Sequence, residues 1–106
     1  MSVGLVYDPV YLGHDTGDHV ENARRLEVTM GLLESSKIRR QLVSITPAPA
    51  PLEDLLLVHS AQHITLIDRS GRDGGGWLDG DTVMSAGSYE AAIYAAGGTA
   101  KAKEMV

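Results

Sequence analysis

The sequence predicts an α/β fold, part of a layered domain with two short parallel strands and about four helices. Three observations carry that prediction. Val3 to Tyr7 and Leu42 to Ile45 are short runs rich in β-formers, each halted by proline. Between them Val20, Ala23, Leu26, Met30 and Leu33 recur at steps of three and four, the spacing of a helix with one apolar face. From Ser85 almost to the end the chain is dominated by alanine, the strongest helix former.

Taken in order, Val3 to Tyr7 reads as a buried strand stopped by the turn at Asp8-Pro9. Asp18, with Glu21 three residues on, has the pattern of an N-cap, so a helix is expected from there to Ser35-Ser36, its Glu21, Arg24, Glu27 and Glu34 facing water. Leu42 to Ile45 is the second strand, and strand, helix, strand is the order of one right-handed βαβ unit. Pro51 suits a first helical position, and Glu53 and Asp54 favour the positive end of the helix dipole. A short helix over Leu52 to Val58 follows, then another from Ser60 to about Asp68. Ser70 to Gly80 holds five of the twelve glycines around a lone Trp77, which describes a long exposed loop. Ser85 is the expected cap of the final helix. Gly97-Gly98 inside it costs roughly 1 kcal/mol per residue against alanine, which makes sense if another backbone packs close by.

Two short parallel strands leave most of a sheet's hydrogen-bonding groups unpaired, so residues 1–106 read as a single partial domain, completed by further chain or by a second subunit. The net charge of −5, and basic residues that apart from Lys37, Arg39 and Arg40 are scattered, argue against direct nucleic-acid binding. With no cysteine there is neither a disulfide framework nor a thiolate metal site. No apolar run approaches a membrane span or a signal-peptide core, and a soluble cytoplasmic protein is expected.

His14 to Glu21 packs two imidazoles and three carboxylates into eight residues, all ligand types that zinc accepts. Asp18 and Glu21 are already explained as caps, however, and a solvated, hydrogen-bonded loop accounts for the rest. His59 and His63 are four apart, but Ser60 stands where the metalloprotease motif has its glutamate, so structural hydrogen bonding is the expectation for them. Gly74 to Gly76 and Gly97-Gly98 lack the flanking residues of a P-loop or dinucleotide fingerprint, and no serine sits in a nucleophile elbow. Asp79 and Asp81 flank Gly80 beside Trp77. Either a turn or a carboxylate that accepts a ligand's backbone amides explains them, and the turn is the more economical reading.

Several segments, in order, resemble the opening third of the histone deacetylase, acetoin-utilisation and acetylpolyamine amidohydrolase family. His19-Val-Glu-Asn-Ala-Arg-Arg-Leu26 is similar to the family's His-Pro-Glu-Arg-Pro-x-Arg-Leu, and Val58-His-Ser-Ala-Gln-His-Ile64 to its Val-His-Ser-x-x-Tyr-Ile. Leu78-Asp-Gly-Asp-Thr82, Gly87-Ser-Tyr-Glu-Ala-Ala92 and Ala95-Ala-Gly-Gly98 resemble its next block. Val20 and Ala23 replace both prolines of the first motif and His63 the aromatic of the second, the departures of a divergent bacterial-type member.

The resemblance implies a three-layer arginase-like parallel-sheet fold and a hydrolase that cleaves acetyl-lysine or acetylpolyamine amides with one zinc, held by one histidine and two aspartates. In the family those ligands, the catalytic histidine pair and a tyrosine follow the alanine-rich helix. No metal ligand and no catalytic residue is therefore expected in these residues, and zinc belongs to the full-length enzyme. Two positions carry over. Arg25 matches the arginine beside the internal channel, where a guanidinium holds departing acetate, although a helix-surface salt bridge accounts for it as well. Asp81 matches the loop carboxylate that accepts hydrogen bonds from the substrate backbone, which favours ligand over turn. His14 and His19 are expected to organise the first loop. Two functional readings follow: a piece of a zinc deacetylase, inactive alone, or a stand-alone, non-catalytic module that dimerises through its exposed strand edges.

Overall fold

The two β-rich runs pair as the βαβ reading requires. In a computed structural model, which describes residues 2–105, Val3–Val6 (β1) and Leu42–Ile45 (β2) run parallel, with Val3 opposite Leu42 and Val6 opposite Ile45. Asp8 ends the first run by capping a 3-10 turn, Pro9–Gly13, its carboxylate accepting from the Val10 amide at 2.8 Å.

The helix between the strands, Arg24–Ser35 (α1), does not start behind Asp18 as the capping pattern predicts. Its N-cap is Ala23, which offers no side-chain cap bond, and turns occupy the residues before it. The Asn22 carboxamide oxygen accepts from the Arg24 amide at 2.9 Å, and the Thr16 hydroxyl donates to the Glu21 carbonyl, so 18–22 is spent on turns. Val20, 90% exposed, therefore falls outside the apolar stripe, whereas Ala23, Leu26, Met30 and Leu33 are half-buried as expected.

After β2 the alternating prolines run extended along the final helix, and the Ala50 amide donates to the Ile93 carbonyl at 2.9 Å. Leu52–Leu55 (α2) is shorter than predicted; Leu57, Val58 and His59 still bond back to Asp54 and Leu55, but as turns. Ala61–Arg72 (α3) is capped by Ser60, whose hydroxyl accepts from the His63 amide at 3.1 Å, and it continues a turn beyond Asp68. An Arg72–Asp68 ion pair one turn apart spans that extension.

The glycine-rich stretch is not a loop. Gly75–Asp79 (β3) and Thr82–Ser85 (β4) form an antiparallel hairpin with an irregular step between Trp77 and Asp79. Gly75 explains why glycine is needed: its φ is 95°, and a Cβ there would collide with the Met84 carbonyl of the opposite strand. Ser88–Glu104 (α4) follows with Gly87 at its N-cap, two residues beyond the expected Ser85, whose hydroxyl is engaged by Gly13 and Asp15 instead.

Gly97 and Gly98 sit where the alanine-rich helix meets other backbone, as their cost in a helix demands. A Cβ on Gly97 would strike the Ala48 carbonyl and lie 2.7 Å from the Ala50 nitrogen. One on Gly98 would lie 2.7 Å from the Tyr11 hydroxyl. Among the described residues the buried apolar side chains are few, namely Ile45, Pro47, Ile64, Met84 and Ala91. The shape fits that count: a slab 18 Å thick whose Cα radius of gyration is 15.3 Å, against about 13 Å for a compact domain of this length. Val28 and Leu32 on α1 and Leu57 and Val58 after α2 lie open. No helix among the described residues is long and apolar enough to cross a membrane.

Candidate functional site

The first loop, the start of α1, α3, the hairpin and α4 line a cavity of about 680 Å³ that is open to solvent on one side. Leu26, Ile67, Leu78, Val83, Met84 and Ala91 line it with apolar surface, and Tyr11, His14, His19, Glu21, Arg25, Asp81 and Ser88 supply the polar groups. Arg25 and Asp81, the two positions singled out from the sequence, thus line one cavity. Arg25 is on the first turn of α1 and has no ion-pair partner within 4.0 Å among the described residues, so the surface salt bridge that accounts for it equally well is not formed.

Two polar networks hold the first loop over this cavity. In one, Ser88, buried at the start of α4, accepts from the Ser85 amide at 2.7 Å and shares a hydrogen bond of 2.6 Å with His14 Nδ1. The Ser85 hydroxyl in turn donates to the Gly13 carbonyl and accepts from the Asp15 amide. In the other, His19 Nε2 lies 2.9 Å from Asp81 Oδ1 and 3.1 Å from the Asp81 carbonyl, while His19 Nδ1 accepts from the Glu21 amide at 3.0 Å. Both histidines organise the loop. The hydrogen bond to Asp81 raises the His19 pKa above the ordinary imidazole value.

The structure separates the roles of the two aspartates around Gly80. Asp79 builds the turn: its carboxylate accepts from the Asp81 amide at 2.8 Å and the Thr82 hydroxyl at 3.1 Å, and the first of these bonds holds its pKa below the usual carboxylate value. Asp81 has a side chain 93% exposed, bound to His19 through Oδ1. Trp77, 64% exposed, stands beside the His19 ring with centroids 6.3 Å apart.

Among the described residues His59 and His63 do not make the structural side-chain hydrogen bonds expected of them. Their rings lie tilted at 32° with centroids 5.2 Å apart, His59 in the turn before Ser60 and His63 on α3. Tyr11 and the Ser85–Ser88 pair are functional neighbours that sequence reasoning missed. Burial, followed by the charge of Asp8, raises the Tyr11 pKa. The serines three apart before the alanine run were a visible signal, but one that reads equally as a cap.

Among the described residues no three histidine, aspartate or glutamate side chains converge to hold a metal. His19 and Asp81 come closest, and they spend their facing atoms on each other. The residues present do not fit a zinc site.

An apolar-lined cavity set among the antiparallel hairpin, α1, α3 and α4, in a chain that also carries a parallel βαβ pair, marks an α/β domain with one candidate ligand site. The fold is that of a crystal structure of the HDA15 HD domain, at a TM-score of 0.87 and 23% identity, over 94% of this chain and 30% of that one. The arginase-like α/β class therefore holds, with four strands among the described residues rather than two. The histone deacetylase domain profile matches residues 19–106. A probable deacetylase of Methanothermobacter thermautotrophicus is 36% identical over 94% of this chain, and one of Archaeoglobus fulgidus 33% identical over 100% of it. The chain belongs to the histone deacetylase family. It spans about 30% of the length of those two relatives.

Proposed function

We propose that these residues form the substrate-side wall of a zinc-dependent deacetylase that hydrolyses acetyl-lysine or acetylpolyamine amides, with the metal ligands and the catalytic histidines supplied by other parts of the enzyme. The observation that carries this reading is the shared cavity: Arg25 and Asp81, distant in sequence, line one apolar-walled space. Its walls suit the methylene stem of an acylated lysine, a carboxylate at the mouth suits backbone N–H donors, and a guanidinium without an ion-pair partner suits acetate. No step of the hydrolysis is assigned to this chain, because its residues do not fit the zinc. Its freedom from cysteine suits a reducing, cytoplasmic setting.

Acetate release from an acetyl-lysine peptide and from an acetylpolyamine tests the proposal, comparing the full-length gene product with residues 1–106 alone. Turnover suppressed by a chelator is expected from the first and none from the second. Chelator-sensitive turnover by the 106 residues would overturn the division of labour. A second reading, the non-catalytic dimeric module, is favoured by the open outer edges of β1 and β2, each of which has one neighbour among the described residues. Light scattering on the native protein separates the two, since that reading requires a dimer of a 106-residue chain.

A further inference from the structure

The His19–Asp81 contact contains more information than a surface ion pair. A ring nitrogen that accepts a hydrogen bond cannot carry a proton in the neutral imidazole, and His19 Nδ1 accepts from the Glu21 amide at 3.0 Å. The neutral ring must therefore bear its hydrogen on Nε2, and that is the nitrogen facing Asp81 Oδ1 at 2.9 Å and the Asp81 carbonyl at 3.1 Å. One N–H thus holds both the side chain and the backbone of the same residue. The ring itself is enclosed, 15% exposed and set against Trp77, whereas the carboxylate it holds is 93% exposed. Asp79 fixes the turn from the other side through the Asp81 amide. Asp81 Oδ2 is left with no hydrogen-bond partner among the described residues.

We infer that His19 is a positioning residue: its Nε2–H, fixed in that tautomer by the Glu21 amide, aims Asp81 so that Oδ2 accepts backbone N–H donors of an acylated peptide at the cavity mouth. The inference rests on the reading of Asp81 as the rim acceptor under the proposed function. Its substrate class is an acetylated peptide rather than an acetylated simple amine, since an amine offers no chain of backbone amides to a rim carboxylate.

Two measurements on the full-length gene product test it separately. The first needs no turnover: ¹⁵N shifts of the His19 ring above its pKa should show a protonated Nε2 and a bare Nδ1. The opposite tautomer overturns the inference at once. The second compares H19F, which keeps a ring without a donor, with H19Q, which keeps a donor without a ring. For an acetyl-lysine peptide H19F should raise KM about three- to tenfold while kcat moves less, and H19Q should recover most of the loss. For an N-acetyl alkylamine, which offers no backbone amides, the rise in KM on H19F should be clearly smaller than for the peptide. Equal losses on both substrates mark a merely structural role and refute the positioning role, as does an unchanged peptide KM in H19F. A wild-type protein without any turnover overturns the proposed function and the positioning role together, while the tautomer stands or falls on the shifts alone.

Discussion

Gly97 and Gly31 are both helix-interior glycines, yet the structure requires alanine to have opposite effects at the two. In α1 a Cβ on Gly31 meets nothing within 4 Å. G31A should therefore gain the ordinary helix advantage of alanine, about 0.5–1 kcal/mol. In α4 the same methyl group on Gly97 strikes the Ala48 carbonyl, and the Ala50 nitrogen must retreat from 2.7 Å to at least the 3.4 Å of ordinary contact. The atoms in the way are backbone, so no rotamer change relieves them. Retreat also stretches the Ala50 amide to Ile93 carbonyl bond, now 2.9 Å. Overpacking of this kind costs about 1–3 kcal/mol and a weakened hydrogen bond roughly 1 more, against a propensity gain of about 1, so G97A should lose about 1–3 kcal/mol net. Urea unfolding of both variants followed by far-ultraviolet circular dichroism reads the difference directly. A G97A midpoint at or above wild type would refute the close-packing account of the glycine pair, and a lowered midpoint in G31A would refute its counterpart.

Three further outcomes follow from the site. S88A removes the buried hydroxyl that serves the Ser85 amide and His14 Nδ1, and should cost about 1–3 kcal/mol in the same urea assay; a change under a few tenths would show that the first loop is not held there. The bond to Asp81 raises the folded-state pKa of His19, so its contribution is fully present below the unfolded-state pKa and lost as pH rises through the folded value. With Asp79, Glu21, Arg25 and His14 unchanged around the pair, the stability gap between wild type and D81N should therefore shrink with rising pH, and a gap that widens would contradict the assignment. R25K keeps the charge but loses the planar fork, so in the full-length enzyme product inhibition by acetate should weaken by about tenfold with little change in peptide KM. Undiminished acetate inhibition would return Arg25 to the role of a solvated helix residue.

What could be read from the residues themselves was whatever repeats locally. β1, β2 and the core of α1 announce themselves by period and by the prolines that stop them, and they lie within a residue or two of expectation. The start of α1 was misplaced because its N-cap, Ala23, carries no capping side chain to signal it, while the hydrogen bonds of Thr16 and Asn22 in the folded loop turn the chain before the helix begins. The hairpin was illegible for a different reason. Glycine has no side chain to alternate, so Gly75 and Gly76 give no period-two signal, although the need for glycine arises from the opposing strand itself. Arg25 emerged from resemblance to a family alone, the pattern around Gly80 raised Asp79 and Asp81 together and only the resemblance favoured Asp81 as a ligand acceptor, and the His19 contact that joins the first loop to the hairpin had no local trace at all.

That division has a physical origin in how the cavity is built. Its walls come from the first loop, α1, α3, the hairpin and α4, and only a handful of apolar side chains are buried among the described residues, none of them fully. Each such side chain contributes roughly 1.5–3 kcal/mol and each cross-link hydrogen bond about 0.5–1.5 kcal/mol. The four donors joining 13–19 to the hairpin and α4, one of them shared between two Asp81 oxygens, therefore match in sum about two core residues. In a well-filled domain such bonds would decorate a geometry already set by packing. Here they set it, so losing the His19 or Ser88 link should move the cavity mouth before it unfolds the slab. That order of events is why substrate affinity, rather than global stability, is the sensitive measure of the His19–Asp81 pair.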